Sequence, residues 1–533
     1  MPRMLGAGML GARMQRVGLA PGRIAFWALL VVGIALGAAC GSEVAATATP
    51  AIEPTKTPKP TATPTPTATP TPKPTPTQVP APTKPPLPTP TPAPVALTAA
   101  QVFTRVSPSV AFIETPTGTA SGVLIEGGYV VTNAHVVWPF EEVRVVFPDG
   151  SEHPNAPVLN TDLIGDLAVL GPLNTGVDPV ALVDGEDLLI GSDLLLIGYP
   201  AEGEEFPQPA ITRGILSRLR QWDSMKMTYF QTDSALAGGQ SGGALVSEKG
   251  DVIGISGFTF SEALFGLVAS AADVLPRVEK LIGRRDVAHL GDRRVPLKGG
   301  TNEDRFDLEN RWGGRTYVIN EPVGTNIEVE LKGVSDGGFY LLDVFGNSLA
   351  YVDDTFTGPE FGSAVTELDA PYFLVLWQLL DEPGSFQVTS NQKLAPLQDP
   401  DDSTIVAMGE TISGNLDHPG DIDFFSIWLS KGDVVEANVD TVNFDAFAMV
   451  AFPDAFEDEI AFDDDTGGGI FGTDAQVNYR APHTGNYFIV VQDTEALGFG
   501  GYLLQVVEAP ADATLSNPLM PPASPLPVPT PAR

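Results

Sequence analysis

Between Val110 and Ile197 the apolar residues of this chain come in short runs, each closed by Gly, Pro, Asn or Asp. The runs are Val110–Ile113, Gly122–Ile125, Tyr129–Thr132, Val143–Phe147, Leu167–Leu170 and Leu194–Ile197. Each is too brief for a helix, and closely spaced short strands with turn signals argue for a barrel or a sandwich. Only Ala272–Ile282 has helical spacing, and it closes the segment. Residues 97–285 are therefore read as one β-rich domain, and about 185 residues are enough to bury a full core.

Composition divides the remainder. Arg3, Arg13, Arg16 and Arg23 lead into an apolar run from Ile24 to Ala39 that ends in small residues before Cys40. Such a run is short for a membrane span and suits an export signal. Residues 1–40 resemble a bacterial lipoprotein signal, which implies cleavage and lipidation at Cys40. A cleaved signal without lipid and an uncleaved anchor are the alternatives. All three place the rest of the chain outside the cytoplasm, tethered to the outer face of a membrane or secreted. Cys40 is the only cysteine, so no intrachain disulfide can form. Residues 41–96 are almost wholly Thr, Pro, Ala and Lys, a disordered spacer that reaches at most roughly 150 Å. Residues 510–533 form a second Pro-rich, disordered stretch.

Residues 295–510 read as a duplication. Tyr351-Val-Asp-Asp-Thr, Phe361-Gly-Ser and Ala370-Pro-Tyr-Phe-Leu-Val recur as Phe462-Asp-Asp-Asp-Thr, Phe471-Gly-Thr and Ala481-Pro followed by Tyr487-Phe-Ile-Val. Each copy, at 295–392 and 400–509, is expected to be a β-sandwich. The formal net charge is -36, of which residues 301–533 carry -31. So acidic a carboxyl half repels nucleic acid and anionic membrane, and favours solubility or cation binding. Nucleic-acid partners are excluded on that ground.

Three motifs stand in one order inside the first domain: Thr132-Asn-Ala-His135, Asp166-Leu-Ala-Val-Leu and Gly239-Gln-Ser241-Gly-Gly. A nucleophilic serine needs a base within hydrogen-bond reach and a carboxylate behind that base. His135, Asp166 and Ser241 are the candidate catalytic residues, with Asp162 the second choice for the carboxylate. Glycines around Ser241 let the backbone come close to a substrate carbonyl, so Gly239, Gln240 and Ser241 are the candidate oxyanion hole. Ala235, six residues before Ser241, offers no charge to a basic side chain. An uncharged pocket there suits Val, Ala, Ile or Leu.

These residues, with Val106-Ser-Pro-Ser-Val, Ser121-Gly-Val-Leu-Ile, Phe147-Pro-Asp-Gly, Thr212-Arg-Gly-Ile-Leu-Ser and Gln231-Thr-Asp-Ser, resemble the protease domain of the HtrA/DegP family. The resemblance implies a chymotrypsin-like double β-barrel, serine endopeptidase activity on exposed or unfolded polypeptides, and no required cofactor. It also implies that Ser256–Phe260 pairs with the substrate backbone, and that Leu236, with Ala235, Phe258 and Phe260, lines the candidate specificity pocket. Two departures matter. Ala237-Gly238 replaces the family's usual Asn-Pro, which predicts a slacker loop, and no PDZ domain is recognisable. Trimerisation is therefore not carried over, and homo-oligomerisation stays open. Gly409-Glu-Thr-Ile-Ser-Gly, Asp421-Ile-Asp-Phe-Phe and Gly485-Asn-Tyr-Phe-Ile-Val resemble the bacterial pre-peptidase C-terminal domain, the first copy less closely. Asp421, Asp423, Asp463, Asp464 and Asp465 are candidate calcium ligands, since calcium takes several oxygens in loose geometry; solvated acidic turns are the alternative. The rival reading of the whole is a non-proteolytic chaperone or adhesin whose sandwiches bind matrix or polysaccharide.

Overall fold

The computed structural model describes residues 96–516 apart from 186–187, 202–206, 236, 261–264, 284–294, 310–313, 357, 379–382, 403, 453–459, 465, 470–471 and 511–512. The signal segment with Cys40, the linker up to 95, the stretch from 517, Leu236 and Asp465 lie outside the described residues. Among the described residues no helix is long and apolar enough to cross a membrane.

The short apolar runs become strands of two closed antiparallel barrels. In the first are β1 (Val110–Thr115), β2 (Gly118–Ile125), β3 (Tyr129–Thr132), β4 (Glu142–Val146), β5 (Glu152–Asp162) and β6 (Leu167–Leu170), ordered β1-β2-β3-β6-β5-β4. The second takes β7 (Asp193–Gly198), β8 (Ala210–Trp222), β9 (Met227–Thr232), β10 (Ala244–Ser247), β11 (Val252–Phe260) and β12 (Phe265–Ser270), ordered β10-β11-β12-β9-β8-β7. Helices α1 (Ala99–Val106), α2 (Ala134–Val137) and α3 (Ala271–Gly283) complete the module.

The runs are continuous, not alternating, because both faces of these strands are covered. On β6, Ala168 and Leu170 fill the first barrel, while Leu167 and Val169 face a second core shared with the other barrel. On β7, Leu194 and Leu196 fill the second barrel, and Leu195 and Ile197 join that same shared core. Side chains point to opposite faces of a strand in turn, so burial on both faces demands apolar residues at every position. Helix α3 adds Ala271, Val274, Val278 and Leu281 to the shared core, an apolar stripe at helical spacing.

Two sandwiches follow. In the first, one sheet holds Thr301–Leu308, Asn326–Gly333 and Glu360–Val365, and the other holds Arg315–Ile319, Gly337–Leu342, Ser348–Val352 and Tyr372–Gln378. The long strand Gly384–Pro396 pairs into both sheets, four residues past the boundary read from sequence. The second sandwich has a five-stranded and a four-stranded sheet. The repeated motifs do equivalent work in the two copies. Tyr372 and Tyr487 are both fully buried, and each hydroxyl accepts from a backbone N–H four residues upstream. Thr355 and Thr466 are each bound, through N–H and hydroxyl, by a nearby carboxylate: Glu360 in one copy and Asp463 in the other.

Arg277 ties α3 to the turn after β5. Its Nη1 lies 2.6 Å from Asp162 Oδ2, with the Asp162 side chain fully buried. Removing one partner of such a pair leaves an uncompensated buried charge, at a cost of about 3–5 kcal/mol. Arg277→Ala is expected to lower the urea-measured unfolding free energy by about 3 kcal/mol. A loss below about 1 kcal/mol, the size of a surface pair, would refute that role.

Candidate active site

The first barrel delivers the histidine and the aspartate. Strand β3 ends at Thr132, Asn133 turns the chain, and His135 stands on the single turn of α2. Asp166 lies in the turn from β5 to β6 and is almost wholly buried. His135 Nδ1 is 2.8 Å from Asp166 Oδ2, and the backbone N–H of His135 donates to Oδ1 at 3.0 Å. The carboxylate thus grips one residue with both oxygens, which fixes the ring's orientation and its Nδ1–H tautomer. Asp166 has φ of 51°, the left-handed region that side chains other than glycine enter with local support. Asn133 supplies it, its Nδ2 donating to the Asp166 carbonyl at 3.0 Å. Asp162, the second choice, is committed elsewhere: to Arg277, and to the Gly165 N–H at 2.7 Å.

Loss of hydration is the largest single influence on His135 and lowers its proton affinity. The charge of Asp166 and the hydrogen bond to it act the other way and prevail, so the imidazole pKa lies above its ordinary value. The side chain remains 44% exposed, so a substrate can reach it.

The second barrel delivers the serine, on the loop between β9 and β10. Ser241 Oγ donates to the Gly257 carbonyl at 3.3 Å, and the Ser241 carbonyl accepts from Ser121 N at 2.9 Å. Gly257 in turn faces the first barrel: a Cβ there would come within 3.2 Å of Asn133 Nδ2 and 3.9 Å of Asp166 Oδ2. Through Gly257, Ser241 therefore stands at the crevice between barrels that holds His135 and Asp166. Ser121, fully buried, is the pin across it. Its Oγ donates to the Gly239 carbonyl and accepts from Tyr199 N, both at 2.8 Å. Thr132 Oγ1 donates to the Ser121 carbonyl at 2.7 Å.

The loop before Ser241 is held, not slack. Ala201 N donates to the Gly238 carbonyl, Gln240 N to Ala237 O, and Ala237 N to Gln240 Oε1. Gln240 therefore spends its N–H inside the turn, which removes it as an oxyanion donor and leaves Gly239 and Ser241 as candidates. Gly239 (φ 88°) and Gly242 (φ 80°) are confined to glycine twice over. A Cβ would meet Tyr199 O at 2.6 Å in the first case and Ser121 O at 2.1 Å in the second.

Of the candidate pocket, Ala235 is exposed beside the loop, its carbonyl accepting from Thr212 Oγ1 at 3.0 Å. Phe258 and Phe260 lie on β11, paired with Leu267 and Phe265 of β12. On the other side, pairing with β10 stops at Ile255.

The candidate calcium ligands do not form one site. Asp423, Val491, Ala448 and Asp463 occupy one row across the sheet, which sets Asp463 three strands, about 14 Å, from Asp423. Asp463 instead accepts from Thr466 N, Thr466 Oγ1 and Gln476 N, a full set of donors, and Asp464 is exposed. Asp421 and Asp423 meet Asp399, which the sequence reading missed, each offering an oxygen within 4.8 Å of the others. Burial, then the charges of Asp421 and Asp402, push the Asp399 carboxyl up to about 11. Burial and Asp421 push Asp402 up to about 8. Asp423 is wholly buried, and its Oδ1 has no hydrogen-bond partner.

Comparison with known proteins agrees with this architecture. Residues 120–255 match the trypsin-like peptidase domain, and residues 421–493 match the bacterial pre-peptidase C-terminal domain. The chain is similar to Serine protease Do-like HtrB of Bacillus subtilis, 33% identical over 194 residues that cover 33% of this chain and 42% of that protein. It is also similar to Serine protease HTRA1 of Xenopus tropicalis, 32% identical over 284 residues, 48% of this chain and 60% of the relative. The solved serine endoprotease from Yersinia pestis is 28% identical, covering 36% of this chain and 68% of that one at a TM-score of 0.31. The chain spans about two fifths to three fifths of the length of these curated relatives. Its double barrel is thus a trypsin-like peptidase domain homologous to those of the HtrA/DegP serine proteases, and a bacterial pre-peptidase C-terminal domain follows it.

Proposed function

We propose that this chain is an extracytoplasmic serine endopeptidase that cuts exposed or unfolded polypeptides after aliphatic side chains. The observation that carries the reading is the Asp166 carboxylate gripping His135 through both oxygens, with Ser241 Oγ on the Gly257 carbonyl at the same crevice. In the reaction, His135 Nε2 takes the Ser241 hydroxyl proton as Oγ adds to the scissile carbonyl carbon. The carbonyl oxygen becomes an oxyanion, held by the N–H groups of Gly239 and Ser241. As the C–N bond breaks, His135 returns that proton to the leaving amine, and an ester on Ser241 remains. Water then gives a proton to His135 and its oxygen to the ester carbon, and Ser241 leaves with the proton restored. Asp166 stays ionised and stabilises the imidazolium.

Ser256 spends its N–H and carbonyl on Gly243 and Gly242, and the edge of β11 beyond it supports substrate binding by strand addition within Ser256–Phe260. Ala235 supports an uncharged pocket. An extracytoplasmic setting is supported by the leader-like residues 1–40 and by relatives named as probable periplasmic DegP-like endoproteases. Tethering would run through Cys40. Residues Asp399, Asp421 and Asp423 would hold calcium, with Asp402 beside them. The orphaned Asp423 Oδ1 supports this: Tyr502 Oη donates to Oδ2 alone, and a buried carboxylate oxygen without a donor favours a proton or a cation.

Two experiments test these assignments. The full chain should degrade casein and Ser241→Ala should not, with new termini following Val, Ala, Ile or Leu. Cutting chiefly after Arg would overturn the pocket, and intact casein would favour the binding-only reading. The melting temperature of Ser241→Ala should rise by at least about 3 °C from chelator to millimolar calcium. That rise should vanish in Asp423→Asn; equal melting in both buffers would eliminate the cation.

A further inference from the structure

The turn that carries Asp166 is buried by residues outside the peptidase domain. Leu163 and Ile164, at the tip of a loop, are 4% and 5% exposed. Leu163 packs into a cluster with Phe373, Ala395 and Leu397 of the first sandwich. Ile164 belongs to the shared barrel core, which Val442 and Leu503 of the second sandwich also join. The Leu163 carbonyl accepts from Asn443 Nδ2 at 2.7 Å and from Gly501 N at 3.3 Å.

Asn443 is itself fixed by its own module. Its Nδ2 also donates to Gly501 O at 2.7 Å, and its N–H donates to Thr441 Oγ1 at 3.0 Å. Gly501 packs directly against Ile164. A Cβ there would stand 2.5 Å from Ile164 Cγ1, 2.7 Å from its nitrogen and 2.8 Å from its Cα. Any larger residue must displace the backbone two residues before Asp166. The histidine side is gripped as well. Trp138, three residues after His135, has its ring 5.7 Å from Phe373 and 4.0 Å from Phe499, one in each sandwich.

We infer that the second sandwich completes the catalytic apparatus, with Asn443 and Gly501 as positioning residues that hold the Leu163–Asp166 turn so that Asp166 stays on His135. The inference rests on the peptidase reading for its effect on rate, but its geometric content does not. Asp166 takes the left-handed conformation while bound to His135 through both oxygens, so a shift of the preceding peptides breaks that grip. Displacement of about 1 Å at a reacting centre costs as much as 100-fold in rate. The peptidase domain anchors the ends of the turn through the Asp162–Arg277 pair and Asn133, and the sandwich anchors its middle.

The test compares the full chain with Asn443→Ala, which removes the donated hydrogen bond without adding bulk, and with Gly501→Val, which adds it. Trp428→Ala, on an exposed side chain of the same module, is the control. Peptide hydrolysis and the NMR titration of His135 are read together. Both variants should lose at least tenfold in kcat with KM within twofold. Their His135 pKa should fall, since Asp166 is what raises it. A merely destabilised protein would lose signal without moving that titration. Should Gly501→Val fail to fold, Asn443→Ala alone decides. A folded Asn443→Ala with wild-type kcat and His135 titration overturns the inference. If the wild type proves inactive, the peptidase reading fails, and the His135 titration still decides whether the clamp exists.

Discussion

One carboxylate, accepting two hydrogen bonds from a single histidine, sets the requirements for the rest of the molecule. Asp166 reaches both the ring and the backbone N–H of His135 while in the left-handed conformation, which costs about 1–2 kcal/mol for a residue with a Cβ. The surroundings offset that cost. Asn133 holds the Asp166 carbonyl, Asp162 and Arg277 hold the start of the turn, and Asn443 and Gly501 hold its middle. The acyl-transfer reading needs this grip because an imidazole free to rotate presents the wrong nitrogen to the serine.

The β-rich domain was legible as a barrel or a sandwich, and the family resemblance selected the double barrel. Strands such as Leu167–Leu170 and Leu194–Ile197 stood out because they are buried on both faces. Continuous apolar runs such as Leu167–Leu170 leave few alternatives once Gly, Pro and Asp punctuate them. The motifs that carry His135, Asp166 and Ser241 stood out for a different reason, since the glycines around Ser241 answer local steric demands. Helix α1 escaped notice, because eight residues give too little periodicity to stand out from the linker before it. Gln240 was grouped with its neighbours as an oxyanion donor, although sequence cannot tell where an N–H points. Contacts across modules were illegible throughout. Nothing near Asn443 marks it as a partner of Leu163, 280 positions away.

The acidic half teaches the same lesson. The run Asp463-Asp464-Asp465 looks like a metal loop, yet Asp463 is an internal acceptor for a threonine turn, matched in the first sandwich by Glu360. The carboxylates that do converge come from the connection between sandwiches and from the next strand's start, at Asp399, Asp421 and Asp423. Distance along the chain hid Asp399. Convergence of like charges around a buried, unpaired oxygen is what distinguishes Asp399, Asp421 and Asp423 from solvated turns.

The central claim is that Asp166 orients and stabilises the His135 imidazolium, and a single isosteric change isolates it. Asp166→Asn keeps the shape, removes the charge and favours the wrong tautomer. The full-chain variant should fold normally and hydrolyse a peptide with kcat lowered about 10⁴-fold. A folded Asp166→Asn within tenfold of wild-type kcat would contradict the account.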